Sequence, residues 1–199
     1  MTDITNLSTV NVAISNYIAV VTMNNPPVNA QNRQFHDDLT LVFDVLSDSY
    51  DVRSIVLTGA GKCFSAGADI KGRASQETDL GDHWVHSRRV RECFYSIMEC
   101  RKPVIAAING AALGAGLAVA ASADILIASE SASVGLPEIN VGLLGGGRHA
   151  MRLFGHSKTR RLMLTGQRLS GAELYRLGIV EECVPDCLLY TSPSPRDIR

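Results

Sequence analysis

The feature that most limits what this chain can become is a repeated pairing of a short buried strand with a turn of small residues. Ser54 to Thr58 is an apolar, β-branched run, and Gly59-Ala60-Gly61 stops it. Val104 to Ile108 is a second such run, which passes straight into Asn109-Gly110-Ala111-Ala112-Leu113-Gly114-Ala115-Gly116. Short apolar runs bounded by glycine predict buried strands. Between them lie helical patterns. Phe35, Leu39, Val42, Phe43 and Leu46 make one apolar stripe, as a helix packed on one face requires. Trp84 to Arg101 reads as a helix with Val90, Phe94, Ile97 and Met98 on one side, and Pro103 blocks its continuation. A small-residue helix ends near Ser122, and Ile125 to Ala128 is a further strand. Strand, glycine-rich turn, helix and strand recur about every 50 residues, an α/β layout.

The two ends read differently. Val10 to Ser15 alternates, with Val10, Val12 and Ile14 on one face; Asn16-Tyr17 turns the chain into a more buried strand, Ile18 to Met23. This predicts a hairpin, ended by Asn24-Asn25-Pro26-Pro27 because proline lacks a ladder donor. Ser170-Gly171-Ala172-Glu173 is a capping-box signature for a helix through Leu177, with Gly178 placed to stop it. Residues 187–199 have no helical period, and Pro193 and Pro195 interrupt them. They resemble translated adapter or vector sequence, with a natural disordered tail as the alternative. Residues 1–186 are therefore expected to be the folded domain.

Composition sets outer bounds. A chain of 199 residues with 46% apolar and 20% charged residues can bury one real core. A formal net charge of -1 with no basic block argues against a nucleic-acid footprint. No apolar run is long enough to span a bilayer; Ala111 to Ala128 is split by Gly114, Gly116, Ser122 and Asp124. Five cysteines form no C-x-x-C pair, and the odd count suits a reducing compartment. Cytoplasm is the expected location, with a transit peptide on a longer precursor left open.

Chemistry is expected at two glycine-rich turns: Cys63-Phe64-Ser65-Ala66-Gly67-Ala68-Asp69-Ile70-Lys71 and Gly110 to Gly116. Small residues let a ligand approach the backbone, and a helix start offers unpaired N–H groups. Two such groups meeting at one point form an oxyanion hole, where one donor is worth roughly 3–4 kcal/mol in a transition state. Tight packing of helix against sheet is the competing explanation for the same glycines.

Taken together, these segments resemble the crotonase (enoyl-CoA hydratase/isomerase) superfamily. Phe64 to Lys71 looks like the loop that wraps the CoA adenine and supplies one oxyanion donor. Asn109 to Gly116, followed by Ala123-Asp124-Ile125, looks like the second oxyanion segment. Gly135-Leu136-Pro137-Glu138-Ile139-Asn140-Val141-Gly142 looks like the acid segment, and Asn25 to Ala30 like the early loop near the CoA arm. The likeness covers about residues 10–186. It implies a spiral of repeated β-β-α units whose C-terminal helical part is missing here. It further implies that the Ala68 and Ala115 N–H groups bind a thioester oxygen and stabilise an enolate, and that Glu138 is the acid/base. Ala66, Gly67, Asp69, Ile70, Lys71, Gly114 and Gly146 would bind substrate. Coenzyme A would arrive as part of the substrate, with no further cofactor and no metal. A homotrimer or homohexamer is implied for the full-length protein, and uncovered apolar surface and poor stability for the chain as it stands.

Two departures matter. Hydratases of this family commonly carry a second glutamate where this chain has Ala118. One carboxylate suffices to move a proton between two carbons, which shifts the expectation towards an isomerase, with a one-glutamate hydratase kept open. Arg148 and His149 stand where the family often has small residues, and His149 is a candidate substitute for the missing acid/base. A hydrolase, a decarboxylase and a non-catalytic acyl-CoA binder remain alternatives. Asp82-His83-x-x-His86 has only partial metal-ligand spacing. Thr58-Gly59-Ala60-Gly61 lacks the third glycine of a dinucleotide loop.

Overall fold

The computed structural model describes residue 4, residues 6–70, residue 72 and residues 79–189. The predicted hairpin is strand β1 (Val10–Ser15) paired antiparallel with β2 (Ile18–Met23). Asn16 and Tyr17 join them with φ of 50° and 65°. Positive φ at both central residues is the turn whose twist matches the flanking strands. Ala19, Val21 and Met23 are fully buried, whereas β1 is an edge strand whose Ile14 is exposed. Of the shared face of Val10, Val12 and Ile14, Val10 is buried, Val12 is partly buried against the core and Ile14 is exposed. An edge strand has a sheet on one side only.

After β3 (Ala30–Gln31), helix α1 spans Arg33–Asp48. The Asn32 side chain caps it by accepting the Phe35 N–H, satisfying one of the orphan donors of a helix start. All five stripe residues are buried. Strands β4 (Ser54–Gly59), β5 (Cys63–Ser65) and β6 (Gly67–Ala68) follow. Helix α2, Leu80–Met98, begins four residues before Trp84, because Asp79 caps it at the Asp82 N–H. It ends three residues before Arg101. Trp84 itself is exposed.

The chain continues through β7 (Val104–Ile108), β8 (Ala111–Leu113), α3 (Ala115–Ala120), β9 (Ile125–Ser129) and β10 (Ser133–Gly135). A 3₁₀ turn, Pro137–Val141, leads to helices α4 (Gly147–Ala150) and α5 (His156–Thr165). Strand β11 (Arg168–Ser170), helix α6 (Gly171–Arg176), strand β12 (Glu182–Val184) and a 3₁₀ turn (Asp186–Leu188) complete it. The capping box is present: Ser170 Oγ accepts the Glu173 N–H, and Gly178 has φ of 66°.

The strand orders reveal the repeat. One sheet runs β1-β2-β4-β7-β9-β12, parallel from β2 onward; the second runs β11-β10-β8-β5. The pairs β4/β5, β7/β8 and β9/β10 each leave one strand in the large sheet and the next in the smaller one, followed by helix, and each pair steps over by one strand; β3 and β6 pair separately. This is the predicted β-β-α spiral. Val141 at the end of the 3₁₀ turn, Leu143 and Leu144 in the loop after it, and Leu164 on α5 are exposed apolar side chains. Among the described residues no helix is long and apolar enough to cross a membrane.

Helix α1 also buries His36, only 1% exposed, with its Nδ1 unpartnered among the described residues and its ring edge-on to His86 at 6.0 Å. Burial, with His86 and Arg89 alongside, holds His36 down at about 4, from an ordinary 6.5. The folded state thus keeps the imidazole neutral where the unfolded chain takes up a proton. Stability is lost as pH falls from 6.5 through about 4, by about 2–3 kcal/mol at pH 4.5. Urea midpoints for the wild type should fall between pH 7 and pH 4.5 by clearly more than those of His36→Gln. Parallel losses in the two proteins would exclude His36 as the cause.

Candidate active site

Turns from neighbouring repeats meet because glycines let backbone touch backbone. Gly67, at φ of 95°, lies against the second turn: a Cβ there would sit 2.6 Å from the Leu113 oxygen and 3.2 Å from the Ala115 nitrogen. Gly116 faces the other way, and a Cβ on it would overlap the Ser65 carbonyl. Only glycine permits both approaches.

Ser65 is the hidden organiser of the first turn. Fully buried, its hydroxyl donates to Asn29 O (2.7 Å) and accepts from Gln31 Nε2 and the Gly67 N–H. Asn29, at φ of 52°, donates from Nδ2 to Cys63 O (2.7 Å) and Ala60 O (3.1 Å). Asn109 clamps the turn after β4, donating to Gly59 O and Gly61 O. Sequence reasoning missed the roles of Asn29, Gln31 and Ser65. The one available signal was Asn29 after two prolines, since asparagine tolerates left-handed backbone.

This network sets the direction of the amides. The Asp69 N–H donates to Gln31 O at 3.0 Å in the parallel pairing of β3 with β6. Alternation along a strand then turns the Ala68 N–H away from β3. Ala66, Ala68 and Ile70 are exposed, while Gly67 between them is buried; the Ala66 N–H is taken by Val28 O. Ala115 opens α3, so its N–H has no acceptor within the helix. Asp69 Oδ1 accepts the Gly72 N–H. Lys71 lies outside the described residues.

Glu138 comes to the same place from the 3₁₀ turn. A Cβ on Gly114 would be 2.8 Å from Glu138 Oε1, and one on Gly146 would be 3.7 Å from it. The carboxyl oxygen Oε2 is buried and unpartnered among the described residues. Burial pushes the Glu138 carboxyl above its ordinary value, its own backbone N–H pulling the other way; no charged side chain contributes. Ala118 is buried in the core and brings no second carboxylate.

The remaining candidates lie elsewhere. His149 packs edge-on against Phe94 of α2, ring centroids 4.7 Å apart, with Nδ1 buried and unpartnered among the described residues. His86 packs against His36, and among the described residues no group of three or more His, Cys, Asp or Glu is placed to share a metal ion. Grooves of about 490 Å³ and about 230 Å³ flank α2, and neither is lined by Glu138.

A β-β-α spiral with two facing small-residue turns and a half-buried glutamate beside them defines a protein of the crotonase superfamily. The family model for enoyl-CoA hydratase/isomerase matches residues 13–192, and the chain belongs to that family. A probable enoyl-CoA hydratase of Bacillus subtilis (strain 168) is 38% identical over 87% of this chain and 68% of its own length. A hexahydro-1H-indene-carboxyl-CoA hydrolase of Mycobacterium tuberculosis is 37% identical, over 84% of this chain and 67% of its own length. The structure of Pseudomonas aeruginosa DspI superimposes with a TM-score of 0.85 at 34% identity, covering 92% of this chain and 76% of that one. Of three relatives named as probable enoyl-CoA hydratases, the chain spans 61–68% of the length.

Gly116→Ala tests the backbone contact. The added methyl has a carbonyl oxygen in its way rather than a flexible side chain, so the variant should lose about 1–3 kcal/mol. A urea midpoint lowered at unchanged m reads this directly; an unshifted midpoint would show that the contact relaxes freely.

Proposed function

We propose that this chain acts on enoyl-CoA thioesters, with the Ala68 and Ala115 N–H groups holding the thioester oxygen and Glu138 moving the proton. Polarising that oxygen acidifies the adjacent carbon and stabilises the enolate that forms there. Glu138 then takes a proton from one carbon and returns it to another, so the double bond shifts and the carboxylate is regenerated. Ala66, Gly67, Asp69 and Ile70, with Gly114 and Gly146, line the approach, their small or backbone groups leaving room for the CoA arm.

The observation that carries this reading is Glu138 itself. A half-buried carboxyl with an unpartnered oxygen is costly, and this one rests against the glycine that precedes Ala115. Ala118 favours isomerisation over hydration, because water addition needs one group to activate water and another to protonate carbon. The relative named as an indene-carboxyl-CoA hydrolase supports hydrolysis as a second reading, and uptake of water into the products separates it from isomerisation, which leaves the substrate's mass unchanged.

Glu138→Gln should lower kcat about 100- to 10,000-fold on 3-enoyl-CoA, leaving KM nearly unchanged. In wild-type protein the carboxylate is the active form, so kcat/KM should fall with acid around a midpoint above the ordinary glutamate value of 4.5. Mass spectrometry of 2-enoyl and 3-enoyl products in deuterated water reads both the shift and the proton's destination. Full turnover in Glu138→Gln would remove Glu138 from the chemistry.

A further inference from the structure

We propose that the acyl group accepted by this site ends in a carboxylate, held by Arg148 and Arg152 in the groove between α2 and α4. The proposal rests on the acyl-CoA reading above and adds the substrate class to it.

The groove holds about 230 Å³ and has two kinds of wall. Val90, Phe94 and Met98 of α2 supply apolar surface, suited to methylene carbons. Arg148, His149 and Arg152 supply the opposite side. Arg91, at the rim, is already paired with Glu92 at 2.9 Å. Arg148 and Arg152 have no ion pair among the described residues, and both guanidinium groups are solvent-accessible. Two guanidinium groups without an ion pair among the described residues, facing an apolar wall, match a chain that is apolar along its length and anionic at its end.

Glu138 does not line this groove, but the turn that carries its neighbours Gly145 and Gly146 leads directly into α4 and Arg148. Positions for a Cβ on Gly145 and Gly146 lie 3.9 Å and 3.7 Å from Glu138 Oε1. Glycine puts no side chain between the carboxylate and the start of α4. Two residues of backbone, at most about 7 Å, then separate Gly146 from Arg148. An acyl chain whose reacting carbons lie at Glu138 reaches the arginines with only a few carbons more. Of the two arginines, Arg148 belongs to the unexplained departure in the sequence, where a glycine-rich turn ends in Arg148-His149.

Coenzyme A carries phosphates, which are a second source of anion for the same arginines, and a binding experiment separates the two. Calorimetric titrations of the wild-type chain with glutaryl-CoA and with pentanoyl-CoA compare saturated esters of equal length, one with a terminal carboxylate, and need no turnover. Wild type should bind glutaryl-CoA about tenfold more tightly. Arg148→Gln/Arg152→Gln should bring the two affinities together, and Arg148→Lys/Arg152→Lys should give an intermediate preference. Equal wild-type affinities would overturn the proposal while leaving the acyl-CoA reading intact. Equal weakening of both esters in the glutamine variant would also overturn it, and would assign the arginines to a CoA phosphate. Failure of every form to bind either ester would remove the acyl-CoA reading itself.

Discussion

The contact on which the rest of this structure depends is backbone packed directly on backbone between adjacent turns of the spiral. Gly67 rests on the Leu113 carbonyl, and Gly116 rests on the Ser65 carbonyl. Each contact runs from one strand-turn unit to the next, so the pair locks the two turns from both sides. A side chain at either position would push the units apart. The turns that carry Ala68 and Ala115 would then separate. The small residues are therefore not a passive filling of space between helix and sheet. They set the distance between the two backbone segments on which any shared ligand would depend.

That locked geometry explains how a glutamate can stay half-buried with its Oε2 unpartnered among the described residues. Glu138 is carried on a short 3₁₀ turn that begins at a proline and closes with Gly142 at φ of 74°. Its carboxyl packs on Gly114 and Gly146 instead of turning out to water. The cost of removing a carboxylate from water is spread over a rigid surround that cannot collapse onto it, and the raised proton affinity follows. The Ser65–Asn29–Gln31 network works in the same sense, because the Ser65 hydroxyl and the Asn29 amide tie the first turn to the segment before α1.

Much of the fold was legible in local pattern. The stripe of Phe35, Leu39, Val42, Phe43 and Leu46 marked α1 and its buried face, and Val104 to Ile108 matched β7 residue for residue. Both signals depend only on spacing within one element. Boundaries were harder. Helix α2 starts at Leu80 rather than Trp84 because a single aspartate, Asp79, caps it, and an exposed first turn carries no apolar period. The shared face of strand β1 is buried at Val10, partly buried at Val12 and exposed at Ile14, because nothing in an alternating pattern says whether a strand lies at the edge of a sheet. The burial of His36 escaped notice for a similar reason: a polar residue beside an apolar stripe is read as solvent-facing until a second helix covers it.

The sequence by itself determined the kind of chain this is: alternating strands and helices, glycine where the backbone must bend, one glutamate after a proline, and alanine where a second acid would stand. Tertiary structure alone decided which of these meet. Gly67 and Ala115 are far apart along the chain, as are Gly114 and Glu138, and their contacts arise only when successive repeats stack side by side. The same stacking placed Arg148 and Arg152 across a groove from Phe94 and engaged His149 there. Secondary structure answers to neighbours a few residues away, which a sequence displays. A site answers to neighbours many residues away, which only the closed spiral brings within reach.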